Sequence, residues 1–385
     1  MIHSGTDILK IFPSIFPGNP ALYFAPGRIN LLGEHIDYNA GYVMPAAIEQ
    51  GFWFAIGKGN ENEYSVYSAT LNEYVNGNFS SLSKSTGWKN YILGVIDQFI
   101  KKGFSLKGFN AVFGGDLPVG SGLSSSAALE CGLAVALNDF NTFNIPKKEI
   151  ALMCQHAEQT FPGMQCGIMD QYASMFGEKD NILFLDCIHI ESEKIKFPSS
   201  THAIVLINSN VKHALEDGSY NTRRNQSEEG LLILQKRFPQ IYNFRDATIE
   251  QLSMVRKDMQ TDIFKRCKFI IEEIERTKMG ATFLKEGNIS AFGKCMYASH
   301  AGLRDLYNVS CPELDFLVEE SSKNESVTGA RLMGGGFGGC TINLMEHLHA
   351  AEIAEYISFK YFEKFNTKAT VYIVEPGDGA RCLKV

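Results

Sequence analysis

The sequence predicts an α+β protein built of two lobes. Runs with the pattern of strands and runs with the pattern of helices are interleaved along the chain, which favours sheets and helices packed on one another. The chain has 385 residues, and a length divided by ~150 predicts two to three domains, of which we take two. No internal repeat or long linker separates them, so we expect tightly packed lobes with the active site in the cleft between them.

The first part of the chain reads as strands and turns, followed by a helix and a further strand. Short apolar or alternating runs bounded by Gly, Asn and Pro predict the early strands, at residues 21–24, 52–56 and 64–67. Over residues 88–102, apolar side chains recur every three or four positions, as on one face of an amphipathic helix. A strand at 107–113 then precedes a loop rich in glycine and serine.

The rest of the chain contains further helices and strands around a mainly helical region. Helices are predicted at 147–159, 168–176, 262–278, 289–306 and 348–364, and strands at 181–187, 203–208, 340–345 and 369–374. Because residues 203–208 are nearly all apolar, we expect that strand at the centre of its sheet. With a junction near residues 186–202, the predicted division is an N-terminal lobe (1–188), a C-terminal lobe (189–365) and a final strand segment (366–385) that returns to the N-terminal lobe.

Composition restricts the class of function. Hydrophobic residues make up 45% of the chain and charged residues 21%, the balance of a globular protein with an ample core. The formal net charge is −7 and the lysines and arginines are scattered, so no nucleic-acid partner is expected. No apolar run approaches the ~20 residues of a membrane span, and the N-terminus has no secretory pattern. We therefore expect a cytoplasmic protein, monomeric and without a membrane partner.

The nine cysteines are dispersed, and no Cys-x-x-Cys pair occurs among them. Their odd number and spacing favour buried free thiols in a reducing compartment, where they act as packing residues. Cys154 and His156 stand two positions apart, but nothing nearby completes a tetrahedral set of ligands. No zinc site is therefore predicted.

A loop of small residues runs directly into a helix-forming stretch that ends near Phe140. Its glycines let the backbone approach an anion, and the first turn of the helix offers unpaired N–H groups at the positive end of its dipole. Its serines add hydroxyls, one of which can coordinate the magnesium that accompanies a triphosphate. The loop predicts a nucleotide site, although the same residues would also cap an ordinary helix. This predicted phosphate loop consists of Gly120, Ser121, Gly122, Leu123, Ser124, Ser125 and Ser126.

Two further segments have the composition of a ligand site. Five glycines lie between residues 334 and 339, just before an apolar strand; the backbone there either closes against a ligand or forms a wide turn with positive φ angles. Residues 26–38 place Arg28, Glu34, His35 and Asp37 among apolar residues and glycines. Charged groups in such surroundings tend to converge on a polar ligand, and a sugar needs many directed hydrogen bonds. A salt-bridged surface turn is the alternative.

Together, residues 26–38, 118–128 and 332–339 resemble the three signature motifs of the GHMP small-molecule kinases, which include galactokinases and the homoserine, mevalonate and phosphomevalonate kinases. The run GRINLLGEHIDYN, from Gly27 to Asn39, is similar almost letter for letter to the signature of the galactokinase family. Shorter stretches agree at 166–171, 208–213, 310–315 and 379–381, in the family's order. The resemblance runs from residue 20 to the C-terminus. It implies the two-lobed GHMP kinase fold, with ATP and galactose as substrates and the galactose 1-hydroxyl as acceptor.

The resemblance also implies the catalytic and metal-binding residues. Asp170 would face the anomeric hydroxyl and act as base, and Arg28 would lie near the transferring phosphoryl group. The chemistry agrees, because a carboxylate beside a guanidinium stays ionised and a fixed cation stabilises charge on the phosphoryl oxygens. Ser126 and Glu158 match the family's ligands for Mg²⁺, a cation that keeps several waters and binds mainly through phosphate oxygens. Without the resemblance, Asp170 and Glu158 would read as solvated carboxylates on helices.

Substrate contacts follow from the same resemblance. The positions that match sugar contacts are Glu34, His35, Asp37, Gly167 through its backbone, and Tyr220 through its phenol. His35 alone would read as a buried histidine with its hydrogen bonds satisfied. Trp88 stands where the family places an aromatic residue near the nucleotide base, although a core tryptophan fits that position equally well.

Alternatives to a galactose kinase remain at this level. A kinase for a related sugar, N-acetylgalactosamine or arabinose, would need a change of only one or two pocket residues. A non-catalytic regulator that binds galactose and ATP would keep the fold, but such relatives lack a Ser-Ala pair in a loop that is complete here at residues 124–127. The late position of the glycine cluster disfavours a Rossmann oxidoreductase, and no Gly-x-x-x-x-Gly-Lys-Ser/Thr run is present for a P-loop kinase.

Overall fold

The structure of the chain, a computed structural model, describes residues 4–117, 122–212 and 216–383. Up to residue 196 its elements are α1 (Gly5–Ile15), β1 (Ala21–Asn30), β2 (Tyr42–Val43), β3 (Pro45–Lys58), β4 (Glu63–Ser68), β5 (Glu73–Asn78), α2 (Lys89–Lys101), β6 (Phe109–Gly115), α3 (Ser125–Phe140), α4 (Lys147–Thr160), α5 (Met169–Phe176), β7 (Asn181–Asp186) and β8 (Glu191–Lys196). They are followed by β9 (His202–Lys212), α6 (Glu216–Arg237), α7 (Ile249–Met254), α8 (Thr261–Lys285), α9 (Ile289–Gly302), α10 (Pro312–Ser322), β10 (Val327–Leu332), β11 (Gly338–Glu346), α11 (Ala350–Phe365), β12 (Thr370–Val374) and β13 (Arg381–Leu383).

A six-stranded sheet in the order β13-β1-β3-β6-β4-β5 forms the first layer. Its pairings are antiparallel except that between β4 and β6. Helices cover both faces, so that Tyr23 of β1 lies in the main core while its neighbour Leu22 packs in a smaller cluster with Phe12 of α1. Because successive residues of a strand point to opposite faces, a strand covered on both sides is apolar throughout.

β1 and β3 extend well beyond their predicted limits of 21–24 and 52–56. Their pairing continues from Ala21↔Ile56 to Asn30↔Pro45, with an irregularity between Pro26 and Arg28. The charged and polar residues in this extension break the apolar pattern that marks the start of β1, because they serve the site described below. The partner strand, and not the local pattern, determines where each strand ends.

A four-stranded antiparallel sheet, in the order β10-β11-β9-β12, forms the second layer. The predicted central strand at 203–208 is confirmed, since β9 pairs with β11 on one side and with β12 on the other. Val205 of β9 packs with Ile357 of α11, whereas Leu206 points to the main core. Both faces of the central strand are therefore covered.

Two regions differ from the sequence-based expectations. The predicted junction at 186–202 contains β8, which pairs with β7 in a small sheet that also includes β2; its sequence ESEKIK has one buried apolar residue, Ile195, and so lacks a strand pattern. At the N-terminus, where strands and turns were predicted, α1 forms instead. Its cap is Ser4, whose side chain accepts a hydrogen bond from the Asp7 N–H at 3.4 Å.

The last two strands join different sheets. β12 pairs with β9 of the four-stranded sheet, and β13 pairs with β1 of the six-stranded sheet. The proposed division into lobes, with boundaries after residues 188 and 365, stays a prediction. None of the helices in the described ranges combines the length and apolar character that a membrane crossing requires.

The cysteines are free thiols, as the sequence predicted. Not all are buried, however: Cys166 and Cys187 are partly exposed and Cys382 is exposed. The six that are buried are Cys131, Cys154, Cys267, Cys295, Cys311 and Cys340.

Candidate active site

The three motif segments meet at a cavity of about 650 Å³. Gly334 and Gly335 of the glycine cluster contribute to its wall. Gly120 and Ser121 lie outside the described residues, and Gly167 lies behind the cavity wall, against Asp37. The residues predicted for the site that line the cavity are Arg28, Glu34, His35, Asp37, Trp88, Gly122, Leu123, Ser124, Ser125, Ser126, Glu158, Asp170 and Tyr220.

A bulge in β1 joins the first segment to the predicted phosphate loop. Where the pairing of β1 with β3 is interrupted, the Arg28 N–H donates to the Leu123 carbonyl at 3.0 Å. A Cβ at Gly27 would lie 2.8 Å from that carbonyl oxygen and 2.5 Å from Leu117. Only glycine therefore lets the loop approach β1 so closely.

The glycine cluster closes against the other side of the loop. A Cβ at Gly334 would lie 3.5 Å from the Cα of Gly122, and one at Gly336 would lie 2.1 Å from the Val309 carbonyl oxygen. Gly336 also has a φ of +82°, which L side chains rarely adopt. The cluster thus has the positive φ angles expected of a wide turn and packs closely against Val309, while closure of its backbone against a ligand stays a prediction.

Arg28 and Asp170 form a bidentate ion pair inside the cavity. Arg28 Nε donates to Asp170 Oδ1 at 2.7 Å and a terminal nitrogen donates to Oδ2 at 2.8 Å. Arg28 also donates to the Gly122 carbonyl at 2.6 Å, which holds it against the phosphate loop. Burial alone would lower the pKa of Arg28, but Asp170 and then Glu34 raise it above its usual value, so the guanidinium is a permanent cation.

Ser124 bonds the same carboxylate from the loop. Its hydroxyl donates to Asp170 Oδ2, and its backbone is left-handed, with φ 52° and ψ 53°. Such a conformation is costly for a residue other than glycine and persists where the surroundings fix it. Asp170, in the first turn of α5, is therefore oriented from two segments far apart in sequence.

Glu158 and Ser126 lie together where the predicted phosphate loop lines the cavity, which we call its phosphate end. Ser126 bonds Glu158 through its side chain, and Gln171 Nε2 donates to Glu158 Oε2 at 2.6 Å. Burial, and then the charge of Asp170, raises the pKa of Glu158 to about 7. A cation at this carboxylate would offset both effects.

The residues at this end fit a Mg²⁺ ion most of whose ligands are phosphate oxygens and water. The described residues contain no cluster of three or more His, Cys, Asp or Glu that could hold a metal ion. One carboxylate and one hydroxyl are instead the share of ligands that a protein supplies when phosphate oxygens and water complete an octahedral shell.

Asp37 lies against the backbone of Gly167. A Cβ at Gly167 would come within 2.2 Å of Asp37 Oδ2, so glycine is required for this packing. Burial, and then the nearby Asp170, raises the pKa of Asp37 to about 7. The two carboxylates are thus close enough to repel each other, and hydroxyl donors from a polar ligand would stabilise the ionised pair.

His35 is a neutral imidazole with both ring nitrogens bonded. Nε2 lies 3.1 Å from the Gly335 carbonyl and Nδ1 lies 2.8 Å from the Tyr38 hydroxyl. Because a carbonyl only accepts, the proton belongs on Nε2, and Nδ1 accepts from Tyr38. Burial lowers the pKa of His35 to about 4. The Tyr220 ring packs beside the imidazole, with ring centres 5.4 Å apart.

Trp88 lies at the apolar end of the cavity. Its ring packs edge-on against Phe113 at 5.1 Å, and its Nε1 donates to Glu73 Oε2 at 3.1 Å. Leu71 and Phe113 are further apolar residues that line the cavity. This apolar surface suits a planar base, and the role of Trp88 in binding one stays a prediction.

Comparison with known proteins agrees with this arrangement. The family pattern described as galactokinase galactose-binding signature matches residues 10–58, and those of the GHMP kinase N-terminal and C-terminal domains match residues 90–178 and 281–363. Galactokinase from Thermotoga maritima is 39% identical over 357 residues, which cover 93% of this chain and 98% of the relative. The chain belongs to the galactokinase family of GHMP kinases.

Further relatives of the galactokinase family extend the match. Galactokinase from Fusobacterium nucleatum is 36% identical, covering 98% of this chain and 99% of the relative. The crystal structure of Lactococcus lactis galactokinase complexed with galactose has a TM-score of 0.93 and 33% identity, covering 98% of this chain and 99% of that one. Mevalonate kinase from Methanococcus jannaschii, at 20% identity and a TM-score of 0.63, shares the fold. The α+β GHMP kinase fold predicted from the sequence is thus confirmed.

Two groups in this galactokinase-family site were not found from the sequence. Arg331 of β10 is fully buried and bonds Glu34 Oε2 at 2.9 Å. Gln171 bridges two buried carboxylates, donating to Glu158 and, at 3.1 Å, to Glu130. A charged residue at the end of an otherwise apolar strand was the available signal for Arg331; nothing local marks Gln171.

Proposed function

We propose that the chain transfers the γ-phosphoryl group of ATP to the 1-hydroxyl of α-D-galactose, giving galactose 1-phosphate and ADP. The observation that carries the proposal is the Arg28–Asp170 pair, held at 2.7 and 2.8 Å in a cavity whose walls come from the sugar-binding signature and the phosphate loop. The family relationship supports it, since the chain matches curated galactokinases over nearly its whole length. Galactokinase activity therefore has support from both sequence and geometry.

In this proposal Asp170 orients the acceptor. Arg28 and Ser124 donate to its oxygens, so the carboxylate is presented as a hydrogen-bond acceptor to the 1-hydroxyl. The transition state of phosphoryl transfer is loose, so the hydroxyl loses its proton late, and positioning contributes most of the rate. Asp170 then receives that proton, while the fixed charge of Arg28 stabilises the phosphoryl oxygens.

The phosphates of ATP would lie over the N-terminus of α3. Ser125 begins this helix, and Gly122 precedes it with a φ of +76°. The unpaired N–H groups of the first turn and the serine hydroxyls supply donors to phosphate oxygens. Gly120 and Ser121 complete the proposed loop, and Trp88 would contact the base.

Mg²⁺ would be held by Ser126 and Glu158 together with the phosphates. When bound, the cation neutralises negative charge on the phosphate oxygens. The protein's part is to keep Glu158 in place through Gln171, 2.6 Å away, and to hold Ser126 at the start of α3.

Galactose would bind between Asp170 and the first segment. Glu34, Asp37 and Tyr220 line this end of the cavity, with the neutral His35 between them and Gly335. Two carboxylates and a phenol provide directed hydrogen bonds to several hydroxyls, and Gly167 would contribute its backbone. A site that bonds particular hydroxyls rejects sugars in which they are inverted, because its buried polar groups are then left unpaired.

A panel assay tests the function. Purified protein is given ATP and Mg²⁺ with galactose, glucose, N-acetylgalactosamine or arabinose, and ADP and sugar 1-phosphate are measured. We expect galactose to exceed its 4-epimer glucose by at least ~10²-fold in kcat/KM, from one or two misplaced hydrogen bonds at ~1–3 kcal/mol each. Faster turnover of another sugar would move the assignment to that sugar. Binding of galactose and ATP without product would favour a regulator.

We also propose that the enzyme is a cytoplasmic monomer. Free thiols, including six that are buried, are typical of a reducing compartment. Sedimentation of the purified protein tests the oligomeric state, and a mass of twice that of one chain would contradict it.

A further inference from the structure

Arg331 belongs to the four-stranded sheet, and its side chain bonds the segment around Glu34 that follows β1 of the six-stranded sheet. It lies on β10, and its side chain is 0% exposed. Nε donates to the Leu31 carbonyl at 2.8 Å, and a terminal nitrogen donates to the Asn30 carbonyl at 2.5 Å. The other terminal nitrogen donates to Glu34 Oε2 at 2.9 Å and to the Leu332 carbonyl at 2.5 Å.

These bonds fix the guanidinium in position and in plane. The fork geometry of arginine matches several acceptors at once, and each of its three nitrogens is used here. β10 itself is held at this point, because the Leu332 N–H donates to His300 Nδ1 at 3.3 Å and the Met333 N–H donates to the Cys340 carbonyl at 3.0 Å. Arg331 is therefore a rigid support, two residues before Met333 leads into the glycine cluster.

Glu34 receives its orientation from this support. Only 3% of Glu34 is exposed, and the part that is accessible faces the cavity. Its carboxylate is bonded by Arg331 and by the backbone of Gly334. Burial alone would raise the pKa of Glu34, but Arg331 and then Arg28 hold it below its usual range. Without Arg331 the carboxylate would lose a bonded partner and its principal counter-charge together.

We propose that Arg331 is a positioning residue for sugar binding, which holds the Glu34 carboxylate in the orientation that accepts hydrogen bonds from the galactose hydroxyls. This inference rests on the proposed contact between Glu34 and the sugar. It gives the strand that leads into the glycine cluster a part in shaping the sugar site.

Three variants test the coupling: Arg331→Met, Glu34→Gln and the double variant. We expect Arg331→Met to weaken galactose binding, measured by calorimetry, by about tenfold or more, because a buried carboxylate is left without its partner. Binding of ATP should change little. In the double variant the loss should equal that of Glu34→Gln alone, since both act through one carboxylate. Arg331→Lys, which keeps the charge, should recover part of the affinity.

The pH dependence provides a readout that a purely structural role would not give. Removing Arg331 raises the pKa of Glu34, so the galactose affinity of Arg331→Met should gain an increase with pH that the unaltered protein lacks, as the carboxylate ionises. Arg28 and His35 also act on Glu34, and Asp37 in the same site has a pKa of about 7, but these groups are common to all the variants. In Arg331→Met/Glu34→Gln the added dependence should disappear. Arg266→Met is the matched control: Arg266 is also buried and donates to a carbonyl, that of Leu306, and its loss should lower the melting temperature without adding a pH dependence.

The outcomes separate the two proposals. If Glu34→Gln leaves galactose affinity unchanged, the proposed contact between Glu34 and the sugar fails, whatever Arg331 does. If Glu34→Gln weakens binding but folded Arg331→Met and Arg331→Lys bind galactose normally, or if Arg331→Met behaves as Arg266→Met does, the role of Arg331 is wrong. Should Arg331→Met not fold, the affinity and pH profile of Arg331→Lys decide in the same way.

Discussion

Glu34 and Glu158 are buried carboxylates in the same cavity, and they differ in what neutralises them. They are 3% and 5% exposed, so burial disfavours the ionised form of both. Arg331 and Arg28 reverse this at the sugar end and hold the pKa of Glu34 below its usual range. At the phosphate end Ser126, Cys166 and Gln171 donate hydrogen bonds to Glu158, and its pKa is still raised to about 7.

The two ends of the cavity therefore differ in the source of the positive charge that neutralises their carboxylates. In the proposed function the sugar is an uncharged ligand, so the chain itself would neutralise the carboxylates that bind it. The nucleotide would bring a divalent cation, and a guanidinium at Glu158 would compete with that cation. We therefore expect the sugar end to be preformed and the phosphate end to be completed on binding.

Replacement of Asp170 should have the largest effect on activity. Asp170→Asn keeps the shape but removes the ionised acceptor, and we expect kcat to fall by about 10²-fold or more. Glu178→Gln is the matched control, because Glu178 is a half-buried carboxylate just after α5 that pairs with Lys194 outside the cavity. Near-normal turnover of a folded Asp170→Asn variant would remove Asp170 from the mechanism.

Asp37→Ala should affect the sugar end selectively. Loss of a hydrogen-bonding carboxylate should raise the KM for galactose by about tenfold or more, while the KM for ATP changes little. Steady-state kinetics with each substrate varied in turn measure both. A larger effect on ATP than on galactose would place Asp37 at the other end of the site.

Magnesium titrations test whether Ser126 and Glu158 bind the cation. Ser126→Ala and Glu158→Gln should each raise the magnesium concentration for half-maximal rate, by about tenfold, with little change in galactose binding. Glu149→Gln on the same helix, where Glu149 pairs with Lys102 at 2.9 Å, should leave the titration unaltered. Unchanged titrations in both variants would leave Ser126 as a first-turn residue of α3 without a metal role and Glu158 as a buried structural acid.

The last prediction concerns the stability of the metal-free protein and not its activity. The pKa of Glu158 rises from 4.5 to about 7 on folding, so the unfolded chain ionises first and stability contributed by this group is lost as pH rises from about 4.5 to 7. At about 1.4 kcal/mol per pKa unit the change is on the order of 3–4 kcal/mol.

The comparison with Glu158→Gln isolates this contribution. His35, with a pKa lowered from 6.5 to about 4, has the opposite sign and loses stability as pH falls through that range, but it is common to both proteins. Denaturant unfolding between about pH 4 and 8, a range that spans this window, should show a flatter profile of stability against pH for Glu158→Gln. Parallel profiles would show that Glu158 is already ionised in the native state.

Much of the architecture could be predicted from local sequence. The central strand β9, the helices α2 to α5 and the loop before α3 follow from apolar spacing, glycine and serine, which act within a few residues. Many residues gathered at the cavity were found through the motif segments that contain them, whereas Trp88, Glu158, Asp170 and Tyr220 were found only through the resemblance to the kinase family. α1 and β10 were not predicted, and β8 has too few apolar residues to show a pattern.

The sequence alone shows which chemical groups the site contains: a cation at Arg28, carboxylates at Asp37, Glu158 and Asp170, and glycines where two backbone segments lie close together. Which of these groups face each other depends on the tertiary structure. Arg331 and Glu34 are 297 positions apart, and Arg28 and Asp170 are 142 apart. The pKa of a buried carboxylate depends on the charge a few ångströms away, and that neighbour is set by the packing of two sheets rather than by the residues beside it in the chain.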